Sequence, residues 1–538
     1  MKLIKLYLLS ILSGLLLSYG WFPNEFAPLL FVGFVPLLLV EQILFKRESR
    51  YRALTLFSCS YLTFFVWNCI TSYWIKNASM EGALMALITN SLLMTIVFVM
   101  FHKAKQRIGE KWGSTIFVLF WMAFEYIHLR WDISWSWLTL GNGLYNNSSW
   151  IQWYEYTGVF GGSLWILLIN NLIFSILKNR ETDAGIRNKK IIIALTLFIL
   201  PIGVSLLIKY SYQHSTEVTD KSKTQRVVVV QPNIDPYDEK FSGNYIDQLD
   251  KMLRLATQKT DSTTDYVLFP ETALQEDIWE NAMEQSQSII MIKQFLKKFP
   301  KLKMVVGAST RKFYKDGEKP SLTARRYIDF IHFYDEFNTA LQLDSSMTIQ
   351  KYHKSKLVPG VEAIPFPAIF KYVEALSLEM GGTSGSLGMQ DERTVFTSSN
   401  KMASTAPVIC YESIFGEYVS EYVKNGAQFI SVITNDGWWG DTPGYKQHLR
   451  FSVLRAIETR RWVARAANTG VSAFVNPVGE MVQTTDYWVP AVLAQDIQLN
   501  STLTFYTRYG DYIGFLAMWI SLFILIYSWM IRFRIIKR

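Results

Sequence analysis

The chain has 538 residues, of which 50% are hydrophobic, 15% aromatic and only 18% charged. This composition is too apolar for an ordinary soluble protein of this length and predicts a membrane protein. The formal net charge of +9 requires no nucleic-acid partner, because basic residues also mark the cytoplasmic loops of membrane proteins. The 3 cysteines and 6 scattered histidines provide neither a disulfide framework nor a zinc-type spacing. We therefore expect no metal and no cofactor.

Eight apolar stretches, concentrated at the two ends of the chain, are each about long enough to cross roughly 30 Å of hydrocarbon. They lie near residues 3–20, 27–45, 53–75, 83–101, 114–128, 159–177, 190–209 and 512–531. The first is not followed by the small-residue cleavage site of a signal peptide. The fifth is the shortest and contains Glu125. The sequence thus predicts a membrane domain of seven helices over residues 1–210 and a C-terminal membrane helix with a basic tail over residues 511–538.

Lysine and arginine are concentrated in alternate loops between these stretches. They follow the second, fourth and sixth stretches and close the chain, whereas residues 21–27 contain none. Lys76 and Arg130 are almost the only basic residues in the other two intervening loops. By the positive-inside rule both termini are cytoplasmic, and residues 210–510 lie on the opposite side of the membrane.

Strand-like and helix-like patterns alternate between the two membrane regions. The β-branched run Arg226–Gln231 is typical of a strand buried on both faces. Further strands are predicted at 266–269, 304–308, 408–410, 430–434 and 471–476, and helices at 246–259, 282–299, 418–425 and 447–466. This alternation predicts an α/β domain over residues 225–500. Periodicity alone also allows a doubly wound sheet.

Three reactive side chains lie beside apolar runs of this domain. Glu271 ends one run, Lys354 shortly precedes a second, and Cys410 ends a third. A glutamate that takes a thiol proton, a thiolate nucleophile and an ammonium that stabilises an oxyanion are the parts of acyl transfer through a thioester. Each residue alone is more often structural, since a buried cysteine is usually a small hydrophobe. Their combination predicts an enzyme.

The motifs around these residues carry a more specific resemblance. Phe269-Pro-Glu271, Lys354-x-x-Leu-Val-Pro359 and Ile409-Cys-Tyr-Glu412 resemble the Glu-Lys-Cys signature of the carbon-nitrogen hydrolase (nitrilase) superfamily. The stretches 434–440 and 455–470 are similar to its membrane-bound branch, the apolipoprotein N-acyltransferases. The resemblance implies a four-layer α-β-β-α sandwich for the α/β domain. It also implies a multi-pass protein of the bacterial inner membrane whose catalytic domain faces the periplasm.

The resemblance further implies a reaction. Cys410 would take an acyl chain from a phospholipid, with Glu271 as base and Lys354 at the oxyanion, and pass it to the α-amino group of a diacylglyceryl-cysteine on an apolipoprotein. Phospholipid, diacylated apolipoprotein and membrane would be its partners, with no nucleic acid and no cofactor, and a monomer is expected. Two alternatives stay open: a membrane-bound nitrilase-type amidase that hydrolyses a small amide, and a non-catalytic ligand-binding membrane protein.

Supporting roles are expected for neighbouring residues. Glu362 follows the lysine motif and is implied to assist the base. Glu412, two residues beyond Cys410, would face the same side of an extended chain and could orient the lysine or organise the site. Lys354 is preferred to Lys356 because the family spacing places two residues before Leu-Val-Pro. We also expect the opposite charges at this site to depress the pKa of the Cys410 thiol.

Aromatic residues supply the remaining candidates. Tyr411 is expected to support the site, and Trp438 and Trp439, in a glycine-flanked loop, are expected to contact the lipid substrate. A second tryptophan group fits an interfacial aromatic belt and a lipid-facing mouth equally well; its members are Trp131, Trp135, Trp137, Trp150 and Trp153. A tryptophan often found after the first strand in this family is replaced near Phe241.

Overall fold

In the computed structural model, the chain forms two compact units. The first unit comprises Met1–Lys76, Ala83–Tyr210 and Tyr509–Arg538, and the second comprises Asn77–Gly82 and Ser211–Arg508. The structure describes residues 3–22, 26–48, 50–178, 184–215, 224–240, 242–315, 317–328, 331–346, 348–365, 386–398 and 403–533. Phe241 and the basic residues beyond position 533 lie outside the described residues.

The first unit is helical. Its first seven helices are α1 Leu3–Tyr19, α2 Val35–Phe45, α3 Arg52–Ser72, α4 Met80–Ile108, α5 Gly113–His128, α6 Tyr154–Lys178 and α7 Ala184–Gln213. A last helix spans Tyr512–Arg532. Six segments of the described chain are long and apolar enough to cross a membrane: Ala27–Phe45, Arg52–Asn77, Met80–Ile108, Tyr154–Lys178, Ala184–Gln213 and Tyr512–Arg532. The predicted stretches near 3–20 and 114–128 are shorter helices, of 17 and 16 residues.

One oxygen of the carboxyl group within α5 has hydrogen-bond donors inside the first unit. Glu125 is buried, and its Oε1 accepts hydrogen bonds from the Leu140 main-chain N–H at 2.8 Å and from Trp121 Nε1 at 3.0 Å. Acidic side chains in membrane helices generally require such internal partners.

The loop after α5 also packs within this unit, since the Trp137 ring is buried and its centroid lies 4.9 Å from that of the Trp74 ring. Trp137 is therefore a packing residue rather than part of an aromatic belt.

The second unit contains two β-sheets. The strands among its described residues are β1 Thr224–Gln231, β2 Tyr266–Leu268, β3 Leu274–Trp279, β4 Lys303–Phe313, β5 Arg325–Arg326, β6 Phe333–Leu343, β7 Gln350–His353, β8 Phe396–Thr397, β9 Ser404–Ile409, β10 Phe429–Thr434, β11 Val463–Ala467, β12 Ala473–Val475, β13 Met481–Thr484 and β14 Ala491–Gln498. The first sheet has the order β14-β1-β2-β4-β6-β5, with β3 beside β4 and β7 beside β6, and the second has the order β13-β12-β11-β10-β9-β8.

Helices cover the outer faces of the two sheets. The helices α8 Tyr245–Thr257 and α9 Gln287–Leu296 pack on the first sheet, and α10 Gly416–Lys424 and α11 Pro443–Thr459 pack on the second. The sheets contact each other through β1 and β11. Every residue of β10 is buried, as expected for a strand covered on both faces. The predicted α-β-β-α sandwich is thereby confirmed.

Two predicted helices extend too far, and the one predicted over 282–299 comprises only Gln287–Leu296. The helix predicted over 447–466 ends at Thr459, because Arg460 adopts a left-handed backbone with φ of 52° and Val463 begins strand β11. A left-handed residue after the last turn is a common way for a helix to end. The parallel pairing of β11 with β10 then overrides the helical pattern of the sequence.

Candidate active site

The two sheets bring the predicted trio together at strand ends. Glu271 follows β2, Lys354 follows β7 of the same sheet, and Cys410 follows β9 of the opposite sheet. The Lys354 Nζ lies 3.0 Å from Glu271 Oε1 and 2.8 Å from Glu362 Oε1. The Cys410 thiol interacts electrostatically with both Glu271 and Lys354. Glu362, predicted as a supporting residue, is thus the second carboxylate partner of the lysine.

Two asparagines that were not predicted from the sequence fix the Glu271 carboxylate. Asn338 Nδ2, on β6, donates to Glu271 Oε1 at 2.7 Å and to Glu362 Oε1 at 3.2 Å. The main-chain N–H of Asn435, directly after β10, donates to Glu271 Oε2 at 3.1 Å. Glu271 is 6% exposed and Lys354 is 1% exposed. These contacts leave the carboxylate little rotational freedom.

Glu271 and Lys354 each stabilise the charged form of the other. Burial favours a neutral Glu271, but the Lys354 ammonium and the hydrogen bonds from Lys354 and Asn338 outweigh it, and the pKa of Glu271 is lowered. Burial likewise favours a neutral Lys354, but the two carboxylates raise the pKa of Lys354 well above its usual value. Both groups are therefore ionised at neutral pH.

The Cys410 thiol behaves differently from our expectation. Burial and the negative charge of Glu271 raise the pKa of Cys410 well above its usual range, and the opposing effect of Lys354 is smaller. The expectation of a depressed thiol pKa was wrong, because burial and the Glu271 charge outweigh the effect of Lys354, whose own charge is paired with Glu271 and Glu362. The resting thiol is protonated.

Backbone strain and a buried polar network position Cys410. Its φ of 49° places a non-glycine residue in the left-handed region, which is characteristic of functional sites. Its carbonyl oxygen accepts from Ser413 Oγ at 2.7 Å and lies 3.1 Å from His448 Nε2. His448 Nδ1 in turn lies 2.8 Å from Asp436 Oδ1. Sequence reasoning did not identify His448, because one histidine among six carries no spacing signal.

The same cluster raises the question of a metal. The ligand atoms of Cys410, Asp436 and His448 lie within 4.8 Å of one another. However, Asp436 Oδ1 accepts from Thr434 Oγ1 at 2.7 Å, and Asp436 Oδ2 accepts from Arg465 Nη2 at 2.5 Å. A cation would have to displace these donors and lie beside a buried guanidinium. These three residues therefore do not form a suitable metal site.

Glu412 does not have the geometry that was expected. The chain after Cys410 turns into a short 3₁₀ helix, Cys410–Ile414, instead of remaining extended. Glu412 Oε2 accepts from the Ile409 N–H at 2.8 Å, and Oε1 accepts from Tyr352 OH at 2.6 Å and from the Ser355 N–H at 2.8 Å. The carboxylate therefore ties the nucleophile strand to the segment that carries Lys354, without contacting the lysine ammonium. It organises the site rather than orienting the lysine directly.

The structure distinguishes the two candidate lysines. Lys354 is the one whose Nζ lies beside Glu271. The Lys356 Nζ instead lies 5.1 Å from the centroid of the Phe415 ring. The turn between the lysine and Glu362 contains Gly360 with φ of 79°, a left-handed backbone that glycine adopts without strain.

Comparison with known proteins decides the family. A family model described as carbon-nitrogen hydrolase matches residues 226–505, and one described as apolipoprotein N-acyltransferase N-terminal domain matches residues 13–172. An apolipoprotein N-acyltransferase of Chlorobaculum tepidum is 32% identical over 96% of this chain and 95% of its own length. The chain belongs to the apolipoprotein N-acyltransferase family. It is accordingly an enzyme of lipoprotein maturation, and the non-catalytic alternative is excluded.

Other matches extend the comparison. The apolipoprotein N-acyltransferase of Geobacter metallireducens is 27% identical over 94% of this chain and 92% of its own length. Among solved structures, Saccharomyces cerevisiae Nit3, a member of branch 10 of the nitrilase superfamily, is 15% identical. That match covers 52% of this chain and 91% of Nit3 with a TM-score of 0.37, and the assignment to the acyltransferase family does not depend on it.

A second buried lysine supports the backbone of Glu271 in this acyltransferase. Lys240 Nζ donates to Thr272 Oγ1 at 2.6 Å and to the Glu271 carbonyl oxygen at 3.4 Å. Burial lowers the pKa of Lys240 to about 8. Thr272 has φ of 45°, which is unusual for a β-branched residue. Gly307 allows the close approach, because a Cβ there would lie 2.6 Å from Glu271 Cα.

The predicted aromatic residues of this acyltransferase surround the site at different depths. Trp438 and Trp439 lie in the 3₁₀ helix Asp436–Trp439 and are half-buried. Tyr237 OH donates to the Trp438 carbonyl oxygen at 2.8 Å, and the Trp439 ring packs edge-on against His448 with centroids 5.5 Å apart. Tyr411 is buried, with its ring 5.3 Å from that of Phe415. Tyr411 therefore acts by packing, whereas the two tryptophans retain accessible surface.

The protonated resting thiol predicts how Cys410 responds to pH. In a Cys59→Ala, Cys69→Ala background, the rate of Cys410 alkylation by iodoacetamide should still be rising above pH 9, beyond the ordinary thiol pKa of about 8.5. Glu271→Gln removes the nearby negative charge and should shift the profile to lower pH. A rate that has already reached a plateau at pH 7 in the parent protein would contradict the raised pKa.

Proposed function

We propose that this enzyme transfers an acyl chain from a phospholipid to the α-amino group of a diacylglyceryl-cysteine at the N-terminus of an apolipoprotein, through a thioester on Cys410. The observation that carries the proposal is the buried Lys354 ammonium held between Glu271 and Glu362, in electrostatic contact with the thiol. Base, nucleophile and cation are thus assembled before substrate arrives. Family membership supplies the reaction class.

In the first half-reaction, Cys410 attacks the ester carbonyl of the phospholipid while Glu271 takes the thiol proton. Negative charge develops on the carbonyl oxygen, and the Lys354 ammonium lies where it can stabilise that oxyanion. Collapse breaks the bond to the glycerol oxygen, which leaves with the proton returned by Glu271. The products are a lysophospholipid and acylated Cys410.

In the second half-reaction, the lipoprotein amine attacks the thioester carbonyl. Glu271 takes a proton from the attacking amine, and Lys354 again faces the oxyanion. The carbon–sulfur bond then breaks, Cys410 leaves as its thiol with the proton held by Glu271, and an amide is formed. The raised pKa of Cys410 makes the protonated thiol the stable resting form at the end of the cycle.

The lipid character of both substrates explains the attachment to a membrane unit. Six described segments are long and apolar enough to span a bilayer, and a tethered enzyme meets lipid-anchored substrates at high effective concentration. Trp438 and Trp439 are half-buried beside the site and offer amphipathic rings to an acyl chain. The alternation of basic loops supports a location in the bacterial inner membrane with the catalytic unit in the periplasm.

The transfer reaction is tested with purified protein, phospholipid and a diacylated lipopeptide. Mass spectrometry should show lysophospholipid and triacylated peptide formed in equal amounts, and neither with Cys410→Ala. Lys354→Met should lower the rate by on the order of 100-fold, as expected for loss of an oxyanion partner. Lys356→Met, the matched control, should have a much smaller effect. Free fatty acid released regardless of peptide would identify a hydrolase, and a larger loss in Lys356→Met would overturn the assignment of the lysine.

The proposed orientation predicts which positions an impermeant reagent can reach. A single cysteine at Ser501, an exposed position of the catalytic unit, should react with a membrane-impermeant maleimide in cells whose outer membrane is permeabilised. A single cysteine at Glu48, exposed in the loop after α2, should react only after lysis. Labelling in the reverse order would place the catalytic unit in the cytoplasm and remove its access to periplasmic lipoproteins.

A further inference from the structure

The first unit contains a groove that is not lined by any of the catalytic residues. It has a volume of about 520 Å³ and is bounded by the C-terminal parts of α4 and of the helix Tyr512–Arg532. Much of its lining is apolar and includes Met100, Leu525, Ile526 and Trp529. The Ile526 and Trp529 side chains are exposed in the unit. A groove with such walls, on a helix long enough to cross a bilayer, is suited to lipid acyl chains.

One end of the groove is strongly basic. Lys103 and Arg107 line it, and Arg107 Nη1 donates to Ser528 Oγ at 3.3 Å. The positive charge of Arg532 is close enough to Arg107 for the two guanidinium groups to repel each other. Within the described part of the chain, no carboxylate forms an ion pair with Lys103, Arg107 or Arg532. An anion between these cations would reduce their mutual repulsion.

We propose that this groove binds an anionic phospholipid of the cytoplasmic leaflet, with its phosphate between Lys103, Arg107 and Arg532 and its acyl chains along the apolar walls. Guanidinium groups form paired hydrogen bonds with phosphate oxygens, and basic pockets between membrane helices are suited to anionic headgroups. Trp529 lies in the last turn of the helix Tyr512–Arg532, and tryptophan favours the boundary between headgroups and hydrocarbon. The Ser528 hydroxyl provides a further donor for the headgroup.

This lipid is distinct from the acyl donor. In the orientation proposed above, the basic ends of α4 and of the last helix face the cytoplasm and the catalytic unit faces the periplasm. The groove therefore binds its lipid in the opposite leaflet, and Cys410 cannot reach that lipid. The bound phospholipid would link the last helix to α4 and neutralise the cationic cluster. The acyl chains of a zwitterionic lipid would also fit the apolar part of the groove, but its headgroup would supply no net negative charge.

The test uses the full-length Cys410→Ala protein, so that no lipid is consumed by turnover. Detergent-solubilised protein is titrated with phosphatidylglycerol or with phosphatidylcholine of the same acyl chains, and retained lipid is counted by native mass spectrometry. Phosphatidylglycerol should bind on the order of tenfold or more tightly than phosphatidylcholine, because only phosphatidylglycerol brings a net negative charge to the basic residues. Lys103→Gln combined with Arg107→Gln should remove most of that preference.

Lys46→Gln combined with Arg47→Gln is the matched control, because it removes the same charge from exposed positions outside the groove. It should leave the preference intact. If the groove variant folds poorly, as judged by its melting temperature without added anionic lipid, the single Lys103→Gln variant replaces it. Equal affinity for the two lipids, an equal loss in the control, or displacement of phosphatidylglycerol by an equal concentration of inorganic phosphate would each overturn the proposal.

Discussion

The buried ion pair between Lys354 and Glu271, shared with Glu362, is the interaction on which the catalytic unit depends. Taking these charges out of water is costly, and their mutual attraction compensates only when the remaining hydrogen-bonding positions are also filled. Asn338 fills such positions on both carboxylates. Because the two carboxylates offset the lysine charge, Lys354 lowers the pKa of Cys410 by less than burial and Glu271 raise it. Burial and the negative charge of Glu271 therefore keep the Cys410 thiol protonated.

The sandwich explains how such a site can be assembled. Parallel strands end at a common edge, and the two facing sheets direct Glu271 and Cys410 towards each other from opposite layers. Glu412 then ties the end of β9 to the segment around Lys354. A site built this way is organised before substrate binds, so binding energy need not be used to assemble it. The reaction also requires access to lipid substrates, and the membrane unit provides that access.

Much of this organisation could be predicted from the sequence, because apolar length, basic loops and spaced motifs are local signals. The membrane helices, the sandwich and the trio Glu271, Lys354 and Cys410 are of this kind. Asn338 could not be predicted, since β6 carries polar residues such as Asp335 and Glu336 that obscure a buried strand. The raised pKa of Cys410 and the position of Lys240 depend on burial and on neighbours distant in sequence. Glu412 was misjudged because a tight turn replaced the extended chain.

Cys410 is proposed to carry the acyl group between the two substrates. Intact-mass spectrometry of the enzyme incubated with phospholipid alone, without a lipopeptide acceptor, tests this role most directly. One added acyl mass is expected, located on Cys410 by peptide mapping and removed by neutral hydroxylamine, as thioesters are. Cys410→Ala should gain no such mass. An equally labile adduct on Cys410→Ala, or transfer of the acyl chain to lipopeptide by that variant, would contradict the account.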